Sequence, residues 1–129
     1  MIFRKRINSL IILYFLFFSF TLFPQENSVI DSLLSVLDNS VEDTNRVNAL
    51  NSLAEELRKT DAVQANKYAE EALALSSELN YIKGIAGSYF SLGRVSRAQF
   101  NLTEARGYYL KSIEVYKELG DFKAVADIK

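Results

Sequence analysis

The sequence has no cysteine, no histidine and no tryptophan, and a single proline among its 129 residues. Without cysteine there is no disulfide and no thiolate nucleophile. Without either Cys or His there is no imidazole base and no Cys/His zinc site, and no side chain has an ordinary pKa near neutrality. Glycine is also scarce, and Gly84, Gly87 and Gly93 sit inside a helical pattern, so no glycine-rich phosphate loop is present. Two carboxylate pairs remain, Glu55-Glu56 and Glu70-Glu71. Adjacent residues on a helix point about 100° apart and cannot grip one reacting bond together. The expectation is a chain with no catalytic residue, no cofactor and no metal site.

Basic excess is lacking too. Three of the fifteen Lys and Arg residues, Arg4, Lys5 and Arg6, precede all sixteen Asp and Glu, so the chain beyond them is acidic. This gives no support for nucleic-acid binding, which needs a basic face.

The most apolar stretch is Leu10 to Phe23, interrupted only by Ser19 and Thr21, and it follows the Arg4-Lys5-Arg6 cluster. A short basic segment before an apolar run shorter than the roughly 20 residues of a membrane span reads as a secretion signal. An Ala-x-Ala cleavage site is missing; Ser19-Phe20-Thr21 is the nearest small-x-small pattern, and Pro24-Gln25 marks the end of the run. Residues 1–25 are therefore expected to be a signal peptide or an uncleaved signal anchor, with the remainder exported to the periplasm or another extracytoplasmic space.

From Ser28 onward apolar residues recur at helical spacing and nothing alternates like a strand. Ile30, Leu33, Leu34 and Leu37 give a leading amphipathic helix within 28–40. Val47, Leu50, Leu53, Ala54 and Leu57 share one side of a second helix, broken at Thr60-Asp61, where Asp61 and Gln64 have capping-box spacing. A third carries Ala65, Tyr68, Ala69, Ala72, Leu75 and Leu79 and closes at Asn80, a residue suited to the left-handed position. The same plan then returns. "LNYIKGIA" (79–86) and "LGDFKAVA" (119–126) are one joint written twice, and Ala65, Ala69, Ala72, Leu75 and Leu79 reappear as Ala105, Tyr109, Ser112, Val115 and Leu119, about 40 residues on. This divides the chain into hairpins at 41–80 and 81–120 and the start of a third at 121–129.

The second unit, "YFSLGRVSRAQFNLTEARGYYLKSIEVY", resembles a tetratricopeptide repeat (TPR) through Tyr89, Leu92-Gly93, Ala105, Tyr109 and Ser112; the first does so through Leu50, Leu53-Ala54, Ala65, Ala69 and Ala72. Small residues at those places let helix backbones approach where they cross. Ser96 stands where the family has an aromatic residue and Phe100 where it favours glycine, and the period exceeds the family's usual 34 or so. HEAT-like helical repeats are the alternative fold. The resemblance implies an all-α, right-handed superhelical stack of antiparallel hairpins. The lead-in "SVIDSLLSVLDNSVEDTNRVNALNSLAEEL" is similar, more loosely, to exported sensor regions of TPR-containing histidine kinases and regulators of Bacteroidetes-type bacteria.

Carried over by position, the family's concave face selects Asn48, Asn51, Glu55 and Arg58 from the first hairpin and Gly87, Phe90, Arg94 and Arg97 from the second. Amides, guanidiniums and an aromatic ring can grip a peptide backbone, a carboxylate or an apolar side chain. Glu55 stands where the family's carboxylate clamp needs an amide, which disfavours chaperone-tail binding. Tyr68, Tyr108, Tyr109 and Tyr116 read as packing residues. The function expected is a non-catalytic, exported protein-binding module, the sensory front of a larger signal-transduction protein. A self-contained scaffold is the alternative, and an enzyme is the third reading. Expected partners are a protein or peptide ligand and another copy through the C-terminal hairpin, with membrane contact only through the leader or a segment beyond Lys129.

Overall fold

The computed structural model describes residues 26–129; the expected signal lies outside them. All six elements among the described residues are helices: α1 (Glu26–Asn39), α2 (Thr44–Leu57), α3 (Ala62–Glu78), α4 (Ile82–Ala98), α5 (Leu102–Glu118) and α6 (Phe122–Ile128). No described helix is long and apolar enough to cross a membrane.

Caps set the boundaries. Asp43, Asp61 and Asp121 each accept a hydrogen bond from the backbone N–H three residues on, at 3.0, 3.0 and 3.1 Å, satisfying a donor that the first helical turn leaves free. The Asp61–Gln64 box is half realised, because the Asp61 N–H goes to the Leu57 carbonyl at 2.8 Å and has no use for the Gln64 side chain. Three helix ends close alike. Asn80, Phe100 and Gly120 take left-handed φ values of 52°, 62° and 74°. The N–H of the next residue then donates back to Ser76, Ser96 and Tyr116 at 2.8, 2.9 and 2.9 Å, the bond that marks a Schellman closure.

Helices α2 and α3 form one hairpin and α4 and α5 a second, with α3 packed on α4, α1 on α2 and α6 on α5. Ala54, Ala65, Ala69, Leu92 and Val95 make one core cluster across both hairpins, ringed by Leu57, Tyr68, Leu73, Tyr89 and Tyr108. Val47, Leu50, Ala72 and Leu75 make a second, covered by Leu37, Tyr68 and Tyr81. The helical-repeat organisation thus follows the sequence register, with two local corrections. Leu79 and Leu119, placed on the apolar faces by spacing, are exposed, because they sit at the helix ends, past the last packed layer. Gly93 was expected to admit the backbone of a facing helix, but a Cβ there would meet the Tyr109 ring at 2.6 Å. Its missing side chain makes room for that ring.

Candidate functional site

A groove of about 400 Å³ runs between α2 and α4. The two helices lie alongside because Asn51 Nδ2 donates to Ser88 Oγ at 3.1 Å and Arg94 pairs with Glu55 at 2.9 Å. Of the residues selected from sequence, Asn48, Asn51, Glu55, Gly87, Phe90 and Arg94 line it. Arg58 does not. It stands beside Glu55, and its Nε donates to Glu55 Oε1 at 2.7 Å, the oxygen that also receives Arg94. Arg97, selected with Arg94 as a facing position, is exposed and outside the groove, near the C-terminal end of α4.

The floor is built for close approach. Gly87 leaves space that an added Cβ would occupy without collision, its nearest neighbours being Asn51 Nδ2 at 3.7 Å and the Tyr116 hydroxyl at 3.9 Å. Ser88 Oγ donates to the Gly84 carbonyl at 2.8 Å, so it takes the Asn51 amide as acceptor and has no proton to return. Asn51 Oδ1 is consequently buried with no hydrogen-bond partner, a costly state for an amide oxygen. Toward the Arg94 end, the guanidinium lies over the Phe90 ring at 5.6 Å, and Phe90 is tilted against Tyr109, with centroids 5.8 Å apart. This contact fixes the ring that forms the groove's apolar wall.

Sequence reasoning missed Tyr81, Lys83 and Tyr116, which complete the other end. Tyr116 belongs to α5 and was read as packing; burial, then Asp121 and Tyr81, push its phenol above the usual value. No spacing signal marks it, because it reaches the groove through the gap beside Gly87. Asn48 and Ser52 also border a second, more open depression against α1, lined by Leu33, Val36 and Ser40 among others. No group of three acidic side chains among the described residues is arranged to hold a metal ion. The chain matches no family model, no curated protein and no solved structure.

Proposed function

We propose that the chain is an exported, TPR-like interaction module that holds an extended segment of a partner protein in the groove between α2 and α4, and that it forms the sensory front of a larger signalling protein. The hairpins stack as a right-handed superhelix, with α2 and α4 on its concave side. The reading assigns binding to the described residues and chemistry to none. What carries it is the groove's composition: an apolar wall at Phe90, a cation at Arg94, and a buried amide oxygen at Asn51 that lacks a donor. A bound segment supplies what these lack, with an apolar side chain on Phe90, an acceptor for Arg94 and, after a small turn of the amide, a backbone N–H for Asn51. Glu55, held by two guanidiniums, keeps Arg94 extended over Phe90 instead of free in solvent.

The test is a peptide-display selection on the full chain, with the selected peptides measured against Phe90→Ala and Gly87→Leu. Phe90→Ala removes the wall, and Gly87→Leu fills floor space that is open in the unliganded groove. The expected result is at least a tenfold loss, roughly the 1.4 kcal/mol of one good contact, in both variants. Peptides that bind both variants as tightly as the parent would place the binding surface elsewhere.

A further inference from the structure

The two ends of the helix stack differ in charge. Asn51 meets Ser88 and Glu55 meets Arg94, so α2 and α4 run in the same direction. Helix α1 runs against α2, because Leu37 packs with Val47 and Leu50 whereas Leu33 lies beside Ala49 and Ser52. The start of α1, the ends of α2 and α4 and the starts of α3 and α5 therefore share one end of the molecule.

At that end Val63, Phe100 and Leu102 are 67%, 88% and 64% exposed. Beside them Lys59, Arg97 and Arg106 are exposed and enter none of the ion pairs among the described residues. Of the carboxylates here, Asp61 caps α3 and Glu104 accepts from Ser96 and Asn101 at 3.1 and 2.8 Å, which leaves Glu56 and Asp31 outside the ion pairs among the described residues, fewer than the three cations. The opposite end also bears uncovered apolar side chains, Val41 and Phe122. There, however, with the capping Asp121 set aside as Asp61 was, Asp38, Glu42, Glu78 and Glu118 outnumber Lys83, Lys117 and Lys123, and none of the seven is in an ion pair among the described residues.

Phe100 is the sharper sign. It holds φ 62°, a conformation that costs a ring-bearing residue energy, and its ring belongs to neither core cluster. The two equivalent closures at the opposite end use Asn80 and Gly120, which tolerate that backbone. A phenyl ring held outward at a strained turn, on the same end of the stack as unpaired cations, has the chemistry of an anchor in the headgroup layer of an anionic bilayer.

We infer that the Val63–Phe100–Leu102 end is a membrane-contact tip. Phe100 and Leu102 enter the interfacial layer of an anionic bilayer, and Lys59, Arg97 and Arg106 meet its phosphates. The chain enters α1 at this same end from the apolar Leu10–Phe23 run. That last point rests on the proposed export; the exposure and charge do not. Docked this way, the helices stand on the membrane and the α2–α4 groove stays in water.

The absence of cysteine permits a clean test. Single cysteines introduced by Thr103→Cys and Glu118→Cys lie at opposite ends of α5, about 22 Å apart, and each carries a fluorophore on the full chain reconstituted in vesicles bearing nitroxide-labelled lipid. In phosphatidylcholine vesicles containing phosphatidylglycerol, the Thr103 label is quenched and the Glu118 label is not. Charge reversal at Lys59, Arg97 and Arg106 weakens the docked state by about fivefold or more per cation. Phe100→Gly with Leu102→Ser brings Thr103 quenching down to the Glu118 level; relief of the strained φ guards that pair against unfolding. Equal quenching at both labels, indifference to phosphatidylglycerol, or Thr103 quenching that survives Phe100→Gly/Leu102→Ser, as tethering by the leader alone would give, overturns the inference. Reconstitution bypasses secretion and leaves Phe90 and Gly87 untouched, so the result stands apart from the export and groove readings.

Discussion

The two hairpins follow one register but fill it with opposite residues. Where α2 carries Ala54 and α3 carries Ala69, both fully buried, α4 carries Gly93 and α5 carries Tyr109. One side has given up a methyl group and the other has gained a ring, and the ring occupies the space above the glycine. The second hairpin also buries hydroxyls where the first buries methyls. Ser112 stands at the position of Ala72 and donates across to the Ala86 carbonyl at 2.8 Å, tying α5 to α4. What the repeat keeps is the space between helices, and the residues that fill it are exchanged in compensating pairs.

The largest effect should come from breaking that compensation. An added Cβ at Gly93 meets Tyr109 Cε1 and Cδ1 at 2.6 and 2.7 Å, and the ring is backed by Phe90. Gly93→Leu should lower the unfolding free energy by about 1–3 kcal/mol or more through overpacking, while Glu56→Leu on the exposed face of α2 stays near neutral. Gly93→Ala sharpens the comparison, since alone it sets the same collision against the roughly 1 kcal/mol that alanine gains over glycine in a helix. In a Tyr109→Ala background, which recreates the Ala54–Ala69 pairing, only the gain remains, and Gly93→Ala should become stabilising. Additive effects in urea unfolding of the four proteins would show that Gly93 and Tyr109 are not partners.

A smaller effect follows from the turns. The α2–α3 connection contains no left-handed residue, whereas the α4–α5 connection is one residue shorter and closes through Phe100 at φ 62°. Phe100→Gly should raise the melting temperature, by the equivalent of about 1 kcal/mol or less, because relief of the left-handed strain is partly offset by the added freedom of glycine when unfolded. Asn80→Gly should gain less, since asparagine already tolerates that conformation. A loss of stability in Phe100→Gly would mean that the exposed ring makes a packing contribution.

Most of the architecture was legible because helix periodicity, aspartate caps and the repeated joint all point the same way, and burial of Val47, Leu50, Leu53 and Ala54 follows directly from their spacing. The groove was legible only along its two walls. Asn51, Glu55, Phe90 and Arg94 share helix faces that sequence can count, but the side chain that Arg94 chooses depends on a carboxylate from another hairpin. The family's facing positions likewise selected Arg97 together with Arg94, although only Arg94 lines the groove. Tyr116 escaped notice because its access depends on the absence of a side chain at Gly87. The orphaned Asn51 oxygen depends on where the Ser88 proton goes, a choice made by local backbone geometry.

The smallest effect concerns the position at which the first hairpin has Ser76 and the second has Tyr116. Ser76 is fully buried and satisfied by the Leu73 carbonyl at 3.0 Å, and it carries no group that titrates. Tyr116 is half-buried beside the groove; burial, followed by the charges of Asp121 and of Tyr81 when ionised, raises its phenol pKa above 10.0. The folded chain therefore holds the phenolic proton more tightly than the unfolded chain. Its contribution is fully present below the unfolded tyrosine value and is lost as pH rises through the folded one, so stability should decline on the alkaline side of about pH 10. Tyr116→Phe removes the titrating group and keeps the ring, and it should flatten part of that decline without changing stability at neutral pH by more than a fraction of a kcal/mol. Tyr108, also raised by burial and then by Glu104 and Glu70, adds to the same decline from about two turns earlier on α5, so Tyr108→Phe combined with Tyr116→Phe should flatten it further. Unfolding midpoints measured across the alkaline range decide the matter: parallel curves for parent and Tyr116→Phe would show that this phenol ionises as freely in the fold as in the unfolded chain.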